Sequence, residues 1–161
     1  MALKHRSRGW TFMLILAAAG GCKDEAAPPY LRLSEPAPAL PGSSAAPVRV
    51  VSFWATWCAP CREELPELLR LARAPLPGLE VLAVSQDDDL ATVEKFLGGP
   101  ADPALHLLLD RDRALTRAFG VERLPVTFVV AGGRLAARFD GPRRWDSKAM
   151  RELLGRLAAP P

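Results

Sequence analysis

Val48-Arg49-Val50-Val51-Ser52-Phe53-Trp54-Ala55-Thr56-Trp57-Cys58-Ala59-Pro60-Cys61-Arg62-Glu63-Glu64-Leu65-Pro66 is the stretch from which the rest of the chain can be read. Residues 48–54 are apolar almost without a break. That is the pattern of a central strand covered on both faces, because alternation disappears when neither face meets water. A helix is predicted to follow over 58–73, since Leu65, Leu68, Leu69 and Ala72 recur at helical spacing. Pro66 lies inside that helix and is expected to kink it. Two cysteines therefore sit where a buried strand hands over to a helix. Unpaired backbone N–H groups and the helix dipole favour negative charge at that point. A thiol so placed can have its pKa lowered from about 8.5 to about 3.5–7.5. This sets the expected division of labour. Cys58 supplies the thiolate that attacks a substrate disulfide, and Cys61, one turn on and more shielded, resolves the mixed disulfide. Pro60 lacks an N–H that the first turn leaves unpaired anyway, and its fixed φ suits the position.

Two blander uses of the pair compete with redox chemistry. A zinc site takes about four ligands, but the chain has no second Cys-x-x-Cys, and its two histidines are His5 and His106. His5 belongs to the leader, and His106 falls in a predicted strand, where a core or edge role suits it better. No metal ligand is therefore expected. A purely structural disulfide closing so short a loop adds little stability, since the entropic gain grows with loop length.

Outward from this stretch the chain alternates strands and helices. Residues 79–84 read as a second buried strand. Leu90, Val93 and Leu97 mark a helix face ended by Gly98-Gly99-Pro100. Next come a strand over 105–109, a short helix over 114–119 closed by Gly120, and a strand over 126–130. Residues 134–139 alternate polar and apolar, and Gly132-Gly133 before them reads as a hairpin turn. Met150, Leu153, Leu154 and Leu157 give a last helix, with Asp146 or Ser147 as its N-cap. The order β-α-β-α-β-α-β-β-α makes the first strands parallel, because helices cross between them, and the last pair antiparallel. An α/β fold with a mixed central sheet and helices on both faces is expected.

The N-terminus is of a different kind. Lys4, His5, Arg6 and Arg8 form a positive region, residues 10–19 are apolar, and Ala17-Ala18-Ala19-Gly20-Gly21 closes the segment. This is the layout of a signal peptide, and the apolar run is too short to span about 30 Å of hydrocarbon. The chain carries a formal net charge of +3, and that excess lies wholly in residues 1–21. Residues 22–161 are balanced in charge, and no basic stripe with interleaved aromatics suggests nucleic acid. Three cysteines are an odd number for an exported protein, and Cys22, straight after the small residues, is the odd one out. Its setting resembles a bacterial lipobox, which implies cleavage before Cys22, acylation of its sulfur and anchorage of the protein to a membrane. Ala17-Ala18-Ala19 also fits an ordinary export cleavage site, which would leave the protein soluble in the periplasm. Residues 22–47 are rich in Pro and Ala and read as a semi-extended tether, with residues 30–33 as a short edge strand. Three parts are thus expected: a signal peptide over 1–21, a tether over 22–47 and a folded domain over 48–161.

Phe53-Trp54-Ala55-Thr56-Trp57-Cys58-Ala59-Pro60-Cys61-Arg62-Glu63-Glu64-Leu65-Pro66 resembles the active-site segment of TlpA/ResA-like thioredoxins, which are exported, membrane-tethered disulfide reductases. Phe119-Gly120-Val121-Glu122-Arg123-Leu124-Pro125-Val126-Thr127-Phe128 resembles the second signature of the same family, and the similarity extends over 48–157. The resemblance implies a thioredoxin-like three-layer sandwich with an inserted βα element. It implies that Pro125 is a cis-proline facing the disulfide and that Leu124 presents backbone groups to an extended substrate peptide. It implies a role near the thiols for Glu64, three positions after Cys61, whereas Glu63 reads as a solvated carboxylate. Other thioredoxins carry an Asp six positions before the first cysteine. Here Ser52 stands there, and a hydroxyl is no base near neutral pH. Trp57 is expected to shape the exposed redox surface. Protein thiols and disulfides are the implied substrates, a membrane thiol-reducing protein the implied electron donor, and cytochrome c maturation a family role. A single copy and no cofactor beyond the Cys58–Cys61 pair are expected. A thiol peroxidase and a copper-binding assembly protein on the same fold are the rival functions. The Cys-Ala-Pro-Cys spacing argues against the first, and the position of His106 against the second.

Overall fold

The computed structural model of the chain describes residues 30–41, 46–74 and 76–158. The expected leader and Cys22 lie outside the described residues. The elements run β1 (Leu31–Arg32), β2 (Val48–Trp54), α1 (Ala59–Arg73), β3 (Leu79–Ser85), α2 (Leu90–Leu97), β4 (His106–Leu109), α3 (Ala114–Ala118), β5 (Val126–Ala131), β6 (Arg134–Asp140) and α4 (Lys148–Ala158). They form one sheet in the order β1-β6-β5-β2-β3-β4. β2, β3 and β4 are mutually parallel, and β5, β6 and β1 continue the sheet antiparallel. This is the expected mixed sheet, and α2 with β4 carries it one strand beyond β3.

β2 lies at the centre because nearly every residue in it is apolar. Val48, Val50 and Trp54 point into one core with Leu65, Leu68 and Leu71 of α1, Val93 of α2 and Met150, Leu153 and Leu154 of α4. Val51 and Phe53 point into a second core with Phe119, Val126 and Phe128. Each such side chain contributes about 1.5–3 kcal/mol by leaving water, so a strand with two apolar faces is held only where both are covered. Phe53, Phe119 and Phe128 meet one another with ring centroids 5.1–6.1 Å apart. The other elements obey the same rule with small adjustments. α1 begins at Ala59 with Cys58 as its cap, and runs on to Arg73 with Pro66 inside it. Ser147 caps α4 by accepting the Met150 N–H at 3.3 Å, while Asp146 pairs with Arg151. His106 stands exposed on the edge strand β4 against Glu80.

Residues 30–41 do not hang free. β1 pairs with β6, the Leu33 N–H donates to the Ala136 carbonyl, and the Ala37 N–H donates to the Gly133 carbonyl. Leu33, Ala37 and Leu40 pack against the second core. The edge strand expected over 30–33 is present as β1, and the contacts of the folded unit begin well before Val48. The physical reason is β6: its outer edge would otherwise expose a row of unpaired backbone groups.

Candidate redox site

Cys58 and Cys61 are joined by a disulfide at the N-terminus of α1, with Cα atoms 5.3 Å apart. Cys58 caps the helix. Its Sγ accepts the Cys61 N–H at 3.3 Å, and its carbonyl accepts the Arg62 N–H at 3.2 Å. Pro60 occupies the first turn, where a missing donor does no harm. The two cysteines are not equally accessible: Cys58 is 7% exposed and Cys61 1%.

The loop that delivers Cys58 is tied down by a buried acid. Asp87, just beyond β3, accepts the Thr56 N–H at 3.0 Å, the Thr56 hydroxyl at 2.7 Å and the Ser85 hydroxyl at 2.7 Å. Its own N–H donates to Ser85 Oγ at 3.0 Å. These hydrogen bonds converge on Asp87 and Ser85 at the end of β3, and the two to Thr56 hold the turn before Trp57. Sequence reading missed Asp87, because the run Asp87-Asp88-Asp89 looks like a solvated acidic turn. Asp89 does behave as a surface residue, capping α2 through the Thr92 N–H.

The Leu124–Pro125 peptide bond is cis, and the Pro125 carbonyl accepts the Gly141 N–H at 2.9 Å. Trp57, Cys58, Pro60 and Leu124 line one groove of about 590 Å³, together with Arg113 and Arg123. Trp57 stands 64% exposed at its rim. Trp57, Cys58 and Pro60 of the first signature and Leu124 of the second therefore share one groove.

Glu64 lies on the opposite, closed side. It comes three positions after Cys61 on the buried face of α1 and is 2% exposed. Its Oε1 accepts the Trp145 Nε1–H at 2.5 Å and the Arg143 N–H at 3.1 Å. Burial pushes its carboxyl up from 4.5 to about 7, against the bonds from Trp145 and Arg143 and the Arg143 charge, which pull it down. Among the described residues its Oε2 has no partner, and neither do the buried hydroxyls of Ser52 and Thr127. Ser52 and Thr127 face each other across β2 and β5. Trp145 packs edge-on against Phe139, which is the β6 neighbour of Thr127. The carboxylate that other thioredoxins carry on β2 is thus absent, and one on α1 occupies the interior instead. Trp145 and Arg143 were not foreseen, since Gly141-Pro142-Arg143-Arg144-Trp145 has no periodicity and reads as a loop.

A mixed sheet, a disulfide capping a helix and a cis Leu124–Pro125 bond whose Leu124 lines the same groove as Cys58 together define a thioredoxin-like redox domain. The chain belongs to the Redoxin family, whose model matches residues 43–154. It is 37% identical over 100 residues to the thiol:disulfide interchange protein HelX of Rhodobacter capsulatus, covering 62% of this chain and 55% of that one. It is 36% identical over 85 residues to the thiol-disulfide oxidoreductase ResA of Geobacillus thermodenitrificans, covering 50% of this chain and 46% of that one. The chain thus spans about half the length of these curated relatives. A crystal structure assigned as thiol:disulfide interchange protein DsbE from Chlorobium tepidum superposes with a TM-score of 0.66 at 27% identity, over 80% of this chain and 99% of that one. The expected kinship with ResA-like thioredoxins is borne out. Among the described residues no helix is long and apolar enough to cross a membrane.

Proposed function

We propose that the protein is an exported thiol–disulfide oxidoreductase that reduces disulfides in other proteins. The observation that carries this reading is the Cys58–Cys61 disulfide at a helix N-terminus, with Cys58 and not Cys61 lining the groove beside Leu124. In the reduced protein the Cys58 thiolate attacks one sulfur of a substrate disulfide. A mixed disulfide forms and the first substrate thiolate leaves. The Cys61 thiolate then attacks Cys58 Sγ, closes the protein disulfide and releases the second substrate thiolate. Two electrons pass to the substrate, and its two thiolates take up two protons. Glu64, buried three positions from Cys61 and with a carboxyl near 7, is the group suited to take the Cys61 proton. Trp57, Pro60 and Leu124 line the substrate groove around Cys58.

Pro125 and Leu124 guide an extended substrate segment past Cys58. Cys22 is the membrane anchor, acylated after removal of residues 1–21, and the domain works on the periplasmic side. Its electrons come from a membrane thiol-reducing protein, and maturation of cytochrome c is the service it performs. The leader layout supports the anchor, the names of the relatives support thiol–disulfide exchange, and the donor and the service follow from the resemblance of the active-site segment.

The decisive variant is Cys61→Ala expressed in the native cell. Mixed disulfides between Cys58 and protein substrates should accumulate on non-reducing gels. A Cys58 that stays reactive yet traps no protein would overturn the reading. The mass of the mature N-terminus separately checks acylation of Cys22.

A further inference from the structure

We propose that the groove beside Cys58 selects substrates with an acidic side chain within about two residues of the attacked cysteine. The inference rests on the reading of this site as a protein-disulfide reductase and concerns which sequences it prefers. Three charged residues line the groove: Arg113, Glu122 and Arg123. The balance is one positive charge in the groove that Cys58 lines, on a chain whose residues 22–161 sum to zero.

The backbone holds Arg113 at the groove in an unusual conformation. It has φ of 58°, and among the described residues it is the one non-glycine with positive φ. That conformation costs about 1–2 kcal/mol for a residue with a Cβ, and glycine would adopt it freely. Strain of this kind persists where the surrounding structure enforces it, and it clusters at functional sites. The wall around it is rigid. Asp110, buried at the end of β4, accepts the Leu115 N–H at 3.0 Å, the Thr116 N–H at 2.8 Å and the Thr116 hydroxyl at 2.6 Å. Gln86 Nε2 donates to the same hydroxyl at 3.0 Å. Burial pushes the Asp110 carboxyl up, but the bonds from Thr116 and Leu115 and the Arg113 charge outweigh it and hold it below its ordinary value. The Arg113 guanidinium donates to the Asp110 carbonyl at a long 3.5 Å, which leaves most of its five N–H donors for a ligand. Arg123, exposed and next to Leu124, joins none of the ion pairs among the described residues.

This chemistry defines the occupant. Trp57 and Leu124 offer apolar surface to the body of a peptide. An extended segment advances about 3.3 Å per residue. A side chain one or two residues from the attacked cysteine therefore lies in the groove whose lining holds both arginines together with Cys58. A carboxylate is the side chain that a guanidinium fork binds best.

The test uses the reduced protein and a set of disulfide-looped peptides with Asp, Gln or Lys flanking the cysteine. Each rate is divided by that of the same peptide with dithiothreitol, which removes the intrinsic effect of charge on the disulfide. We expect kcat/KM to rank Asp over Gln over Lys, by about threefold per step at low salt. The ranking should compress at 1 M salt, where the screening length is about 3 Å. R113Q and R123Q should each erase about half of the preference, and R156Q on α4 none of it. Equal slowing of all peptides by R113Q and R123Q would mean that the arginines act on the Cys58 thiolate, and would overturn the proposal. So would a ranking that favours Lys. If every peptide reacts no faster with the protein than with free cysteine, the reductase reading itself fails.

Discussion

The two flanks of the disulfide are built on opposite principles. On the Cys58 side, Trp57 stands out in water and an open groove carries more positive than negative charge. On the Cys61 side, Glu64 is sealed against Trp145, and its Oε2, like the hydroxyls of Ser52 and Thr127, has no partner among the described residues. The open flank is adapted to meet many partners, since charge and apolar surface there interact through water. The closed flank is adapted to hold a proton, since a carboxyl away from water keeps it to higher pH. One bond spans both environments, and that difference separates the roles of two chemically identical residues.

The largest expected effect probes the closed flank. Below about pH 4.5 the Glu64 carboxyl is protonated in folded and unfolded chains alike, so burial carries no charge penalty. Between about 4.5 and 7 the unfolded chain ionises first, and stability falls as pH rises; above 7 the loss is complete. The shift corresponds to about 3 kcal/mol. Glu64→Gln should remove this slope, so the oxidised variant gains on the parent by about 3 kcal/mol between pH 4 and pH 8 in urea unfolding. A constant difference across that range would break the contrast between the flanks.

The second effect compares the sulfurs directly. In the reduced protein at pH 6, iodoacetamide should modify Cys58 about tenfold faster than Cys61, because Cys58 lines the open groove at the helix N-terminus and Cys61 is sealed from it. Peptide mass mapping after timed quenching measures both rates, and equal rates would remove the asymmetry. The smallest effect sharpens the picture of how the open flank is supported. Asp87→Ala leaves the Thr56 N–H and hydroxyl without their acceptor. It should cost about 2 kcal/mol in urea unfolding. A change under about 0.5 kcal/mol would show that the turn before Trp57 is held by packing alone.

How much of this was legible in advance varied with the kind of signal. The strand over 48–54, the helix after it and the hairpin at Gly132-Gly133 carry patterns that repeat along the chain, and they stand where expected. The convergence of Cys58 with Leu124 was legible only through resemblance to a family, since nothing in the sequence between them says that they share a groove. Asp87, Asp110, Arg143 and Trp145 were not legible at all. Each acts through a contact with a residue distant in sequence or through burial that an isolated Asp or Trp does not announce. The docking of residues 30–41 was only half visible, because their hydrogen bonds go to β6 and leave little trace in their own composition.

What the sequence alone determined is the local chemistry. It set two cysteines at a strand-to-helix turn, a proline where a donor is not needed, and an acid one turn beyond. These depend on neighbours along the chain, and spacing encodes them. The tertiary structure alone decided which side of that chemistry is wet. Burial and field at a sulfur or a carboxyl are sums over atoms from many segments. Thus Glu64 is shut away from water against a tryptophan 81 residues distant, and that burial raises its carboxyl. Cys58 owes its groove to the segments that carry Arg113, Arg123 and Leu124.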